Sequence, residues 1–194
     1  MKTKDEIAKE EIILNAQKLF KQYGLKKTTM DEIAEACGKA KSTLYHYFKN
    51  KEQIFDEVID IELLDLRNVV KKKVDVENSI SLKLTTYFLE FHKEIVHRTN
   101  LYRIVKNELK NEKKSLKIFD QLLAFETTYV SKILIDAYDS GEYTDICVND
   151  ILWFSESLLA GFFGIVRYTL ESESSFEIEK MKRISTMLIA KIFN

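Results

Sequence analysis

This chain predicts an all-α fold in two parts: a small three-helix head and a larger helical body. Three observations carry that expectation. The 194 residues contain no proline and five glycines, so few residues interrupt a helix, and lysine, glutamate, leucine and isoleucine favour one. Apolar residues recur at three- and four-residue spacing through most of the chain, with no strand-like alternation. Charge is also uneven. Residues 1–51 hold eleven lysines and seven acidic residues, a surplus of four positive charges on a chain whose net charge is −1. A basic head on an acidic body is the footprint of a protein that brings one end to a polyanion.

The first helix is expected from about Lys4 to Tyr23, with Ile13, Ala16, Phe20 and Tyr23 along one face. Gly24 is expected as a left-handed C′ residue, with Leu25 folding back on Phe20 in a Schellman end. A second, short helix follows Thr29. Thr29 and Glu32 have capping-box spacing, and Met30, Ile33, Ala34 and Cys37 make one apolar face. Gly38 stops that helix. A third helix then carries Leu44 and Phe48 inward and Lys41, Ser42, Thr43, Tyr45, His46 and Lys49 outward. Two short helices joined by a tight glycine-containing turn make a helix-turn-helix. An outer face of donors and cations suits a DNA groove.

A second capping box, Asn50 to Gln53, starts a fourth helix that runs to about Val74. Further helices are expected over Leu82–His97, Leu101–Lys110, Leu116–Ser140, Asn149 or Asp150 to Glu171, and Phe176–Phe193. Asn111–Lys114 and Gly141–Val148 read as loops. The domain division is residues 1–50 for the head and 51–194 for the body.

The stretch Thr28–Lys51 resembles the TetR family of one-component transcriptional regulators. The likeness rests on Thr29, Ile33-Ala34, Cys37-Gly38, Thr43-Leu44-Tyr45-His46-Tyr47-Phe48 and Lys51, and covers about residues 8–55. Two positions depart from the family pattern. Lys39 and Ala40 stand where a small apolar residue and then a serine are usual, and alanine is a poor N-cap, at a cost of about 1 kcal/mol relative to serine. The resemblance implies phosphate contacts from Thr29, Tyr45, His46, Tyr47 and Lys51. It implies approach to base edges by Lys39, Ala40, Lys41, Ser42 and Thr43. It also implies that the body binds a small-molecule effector and forms a homodimer, that the DNA site is two-fold related, and that the effector releases a repressor from its operator.

The body is rich in aromatics with polar groups among them. An apolar pocket with a few polar groups is how small-molecule sites are built, although any single aromatic is more simply core. The candidate ligand residues are Phe88, Phe91, His92, Tyr102, Phe125, Glu126, Tyr129, Trp153, Phe154 and Ser157. The fourth helix is expected to act as the lever between body and head, and as their only covalent connection. Small residues at helical spacing let another helix approach closely. With the family's interface as guide, Gly161, Phe162, Gly164, Ile165, Ile184 and Leu188 are the expected dimer contacts. The alternative is that the last helix only covers its own core.

Other function classes leave no pattern. The three histidines have no ligand spacing, and no metal, cofactor or catalytic residue is expected. Cys37 and Cys147 do not suggest a disulfide. The N-terminus does not read as a signal peptide, and the most apolar stretch, Ile151–Leu170, contains Glu156 and Arg167. A cytoplasmic protein that uses no membrane is therefore expected. The rival reading is an α-helical small-molecule or lipid-binding protein, or an enzyme, with an incidental helix-turn-helix.

Overall fold

The computed structural model describes residues 2–98, 100–101, 113–171 and 176–193, with only the backbone for 113–121, 167, 169–171, 176–178 and 181. Every regular element among them is helical. The helices are α1 (Lys4–Tyr23), α2 (Met30–Ala36), α3 (Lys41–Tyr47), α4 (Lys51–Val74), α5 (Ile80–His97), α6 (Lys113–Asp139), α7 (Ile151–Glu171) and α8 (Phe176–Phe193). A short 3-10 turn, Val148–Asp150, leads into α7. The expected all-α fold is thus observed. Helix α6 starts at Lys113, inside the segment expected as a loop, and α5 starts at Ile80 rather than Leu82. The helix expected over Leu101–Lys110 lies almost wholly outside the described residues.

Two compact units are present: Met1–Asp65 with Arg98–Leu101, and Leu66–His97 with Tyr102–Asn194. The first unit reaches past residue 50 because Ile54, Phe55, Val58 and Ile59 of α4 are buried. Phe55 meets Phe20 edge-on at 5.1 Å between ring centroids. Helix α4 is not the only link, since the chain returns to this unit at Arg98–Leu101. There the Asn100 amide donates to the Glu62 carboxylate at 2.7 Å, which also accepts from Gln17 at 2.9 Å.

The short helices of the head are defined by their ends. Thr3 with Glu6 and Thr29 with Glu32 form complete capping boxes on α1 and α2. Each satisfies two N-terminal N–H groups that have no partner inside the helix. The Schellman end expected at Gly24 forms at Gly38 instead. Gly38 has φ +61°, its N–H bonds to the Glu35 carbonyl, and the Lys39 N–H reaches back to the Ala34 carbonyl. That pairing is the Schellman signature. Gly24 has φ 80° but ψ 160°, so the chain leaves α1 extended, and Thr28 then bonds back to the Gly24 carbonyl through its N–H and its hydroxyl.

In the second unit α5 packs against α6, α7 and α8, and α7 against α6. Its core is aromatic. Phe88 and Phe162 lie 4.3 Å apart, and Phe91 and Phe163 5.4 Å apart. The N-terminus of α5 is held from outside its own sequence, by the Glu142 carboxylate accepting from the Ile80 N–H at 2.6 Å.

Candidate functional site

Helix α3 is seven residues long and presents most of its surface. Leu44 is fully buried and Phe48 nearly so, which fixes the opposite face outward. Lys41, Ser42, Tyr45 and His46 are exposed, and Thr43 and Tyr47 half-buried. Ala40 occupies the N-cap without a side-chain bond, as its chemistry requires, and the helix still begins at Lys41. The α2–α3 turn at Gly38 and the buried pair Leu44 and Phe48 therefore set the reading face.

Three side chains on or beside this face, Lys39, Lys41 and Tyr47, are tied to carboxylates. The Lys41 ammonium lies 2.7 and 3.0 Å from the two Asp31 oxygens. Lys39 pairs with Glu11 at 2.7 Å, and the Tyr47 hydroxyl donates to Asp5 at 2.9 Å. These bonds to Glu11, Asp31 and Asp5 raise the pKa of Lys39, Lys41 and Tyr47 respectively. Exposed pairs of this kind are weak and screened by salt, so an incoming polyanion can displace them. Lys39 is half-buried, held beside α1 by Glu11. Asp5, Glu11 and Asp31 were not foreseen; their sequence signal is only that a lysine-rich face needs counter-charges nearby.

Lys51 takes a different place from the phosphate contact expected. Its ammonium donates to the carbonyls of Leu25, Lys26 and Thr28, at 2.8, 3.2 and 2.8 Å. An ammonium has three donors, and all three are used. Lys51 also opens α4, where the helix dipole disfavours a cation; the three carbonyls offset that. The residue clamps the α1–α2 connection and so holds Thr28 and Thr29 in place. Asn50 caps α4 by accepting from the Gln53 N–H at 2.9 Å, but the Gln53 side chain reaches Lys49 rather than completing the box.

In the body, the candidate ligand residues separate into groups. Glu126 is buried, accepting from Arg67 at 2.7 Å and from the Tyr87 hydroxyl at 2.9 Å. The Arg67 guanidinium stacks on the Phe125 ring at 3.7 Å, and Tyr129 lies 5.9 Å from Tyr87. Burial raises the Glu126 pKa, which Arg67 and Tyr87 oppose. Burial, with Asp75 and Glu126, pushes Tyr129 up to about 12. Among the described residues the buried Tyr129 and Thr127 hydroxyls meet no hydrogen-bond partner. Phe91 and His92 are buried, and burial lowers the His92 pKa. Arg67 and Tyr87 complete this cluster and were absent from the expected set; a glutamate at a core position of α6 was the signal that a cation had to face it.

Trp153 is not part of that cluster. It is 71% exposed, beside exposed Leu152. Phe154 meets Phe193 at 6.1 Å. Tyr102 lies outside the described residues. Phe88 and Ser157 instead line a groove of about 190 Å³ together with Gly161, Phe162, Ile165, Leu188 and Ile192. Four of those are expected dimer contacts, so the ligand and dimer sets meet there. Phe162 is buried in its own chain, Ile184 is half-buried, and Gly161 and Gly164 face open space.

Among the described residues no His, Cys, Asp and Glu cluster fits a metal ion, and no helix is long and apolar enough to cross a membrane. Residues 12–58 match the family described as bacterial regulatory proteins, tetR family. The chain is 30% identical to IcaR of Staphylococcus aureus, the negative transcriptional regulator of the biofilm operon icaADBC, over 93% of this chain and 98% of IcaR. It is 35% identical to YhgD of Bacillus subtilis, an HTH-type transcriptional regulator, over 66% of this chain and 60% of YhgD. The fold is similar to that of FadR from Bacillus subtilis, solved with stearoyl-CoA. The TM-score is 0.68 at 18% identity, over 93% of this chain and 96% of FadR.

Proposed function

This chain belongs to the TetR family of bacterial regulatory proteins, and we propose that it is a repressor whose α3 reads a two-fold operator and whose body binds the effector that releases it. It is a DNA-binding transcriptional regulator, and its relatives are regulators rather than enzymes. The observation that carries the reading is the exposed polar face of α3, fixed by the Gly38 turn behind it. One such helix per chain means that two copies meet two half-sites, about 34–36 Å apart or at a multiple of that spacing. Ser42, Thr43, Tyr45 and His46, with Lys39, Ala40 and Lys41, are the residues we assign to the duplex. Thr29 and Tyr47 flank them.

The effector we propose is amphipathic, an apolar chain with a polar end. The aromatic core around Phe88, Phe91 and Phe162 supports the first part, and the buried Arg67–Glu126–Tyr87 cluster supports the second. FadR's complex with stearoyl-CoA is of that chemical kind. By linkage, effector and operator must weaken each other by the same factor, typically about 5- to 150-fold. The test is a titration of long-chain acyl thioesters and other amphiphiles into the protein–operator complex. Release of DNA by at least one class, with a matching loss of ligand affinity when operator is added, is the expected result. Ligands that bind the body and leave operator affinity unchanged would reduce it to a dimerisation scaffold.

A further inference from the structure

Lys41 is the first residue of α3, and N-terminal residues of a recognition helix are the ones that contact base edges. Asp31 sits on α2 with its two carboxylate oxygens 2.7 and 3.0 Å from the Lys41 ammonium. It lies in the first turn of α2, where a carboxylate favours the helix dipole, while the capping box itself is made by Thr29 and Glu32. Its side chain is 66% exposed. The Lys41 ammonium and the Asp31 carboxylate therefore stand side by side at the start of the face that α3 presents. A carboxylate is an unusual group to place against a polyanion. It repels the acceptors of guanine and thymine in the major groove, and it accepts from the exocyclic amino group of cytosine. Lysine does the reverse, donating to guanine O6 and N7.

We propose that Asp31 is a specificity-determining residue, which works with Lys41 as a donor–acceptor pair on the major-groove edges of neighbouring bases. Lys41 selects guanine, and Asp31 selects cytosine and penalises guanine or thymine at its own position. This is discrimination by a repulsive element as well as an attractive one. It rests on the reading of α3 as the DNA-facing helix. Its consequence separates Asp31 from every basic residue of the head: removing it raises affinity for wrong sequences while lowering discrimination.

The experiment uses the full-length protein. A duplex selected by the wild type from a random pool is varied one base pair at a time, and affinities are measured for wild type, Asp31→Ala, Asp31→Asn and Lys41→Ala. Asp31→Ala should bind random duplex more tightly and lose about fivefold or more of discrimination at one base position. That position should adjoin the one relaxed by Lys41→Ala. Asp31→Asn should move the preference there toward adenine, which asparagine reads through N6 and N7. A uniform rise in affinity for every duplex would overturn the proposal, because that is a net-charge effect without readout; so would no change at all. Failure of the wild type to select any sequence would instead overturn the function reading itself.

Discussion

Head and body handle their charged groups in opposite ways. In the head, Lys41–Asp31 joins α3 to α2 and Tyr47–Asp5 joins α3 to α1, both on the surface and open to water and ions. In the body, Glu126 is 2% exposed and its two partners, Arg67 and Tyr87, come from two other helices. The head's pairs are replaceable, as a surface that must exchange partners requires. The body's cluster is desolvated, so each member depends on the others. An ion pair in a regulator therefore says little until its burial is known.

The largest effect expected from breaking this contrast is in the body. Glu126→Ala leaves the Arg67 guanidinium and the Tyr87 hydroxyl without their acceptor and should cost about 3–5 kcal/mol of stability. Denaturant titration of Glu126→Ala and of Glu126→Gln, which retains an acceptor, checks this; the glutamine variant should lose less. High salt should leave the difference in place, whereas it should erase any contribution of the Lys41–Asp31 pair.

Lys51 sharpens the contrast from the other side, because it is a head cation whose donors are all used. Lys51→Met should destabilise the head by about 1–3 kcal/mol through the three lost carbonyl bonds. The slope of log affinity against log salt should stay the same, since no phosphate contact is removed. A slope lower by about one would show that Lys51 leaves its carbonyls to meet the backbone.

Gly161 tests the open face of α7. Among the described residues a Cβ at Gly161 meets nothing within 4 Å, so Gly161→Leu should fold normally. It should weaken a dimer packed on that face by about 1–3 kcal/mol, read by sedimentation across a dilution series. Unchanged association would move the interface elsewhere.

The smallest effect concerns His92. Its folded pKa is lowered by burial, so the unfolded chain binds the proton more readily. The stability it contributes is present above the unfolded value of about 6.5 and is lost as pH falls toward the folded pKa. Thermal melts of His92→Asn against wild type should therefore converge as pH drops below about 6.5.

Much of the head was legible in the sequence because its determinants are local. Thr29 with Glu32 and Leu44 with Phe48 lie within one or two helical turns, and the helix bounds follow from them. The turn at Gly38 was legible as a stop. Its left-handed C′ role was legible too, and φ +61° agrees with it; at Gly24 the same pattern of an apolar run and a glycine predicts a Schellman end, but a ψ of 160° carries the chain away extended. The head's ion pairs and the Lys51 clamp were not legible. Lys51 and Leu25 are far apart in sequence, and nothing local aims one at the other. The body fared likewise: its helices followed from periodicity, but Arg67 and Glu126 meet only through packing. Trp153 looked like a pocket residue by composition, and its exposure depends on which face of α7 the core takes.

If the face of α3 reads sequence, wild-type protein must separate a duplex it selects from a random pool from random duplex itself, and the ratio of those two affinities at physiological salt measures this. Specific binders show a ratio on the order of a thousandfold or more. A ratio in that range is expected, with discrimination at one base position falling about tenfold in Lys41→Ala. Equal affinities for selected and random duplexes would contradict it.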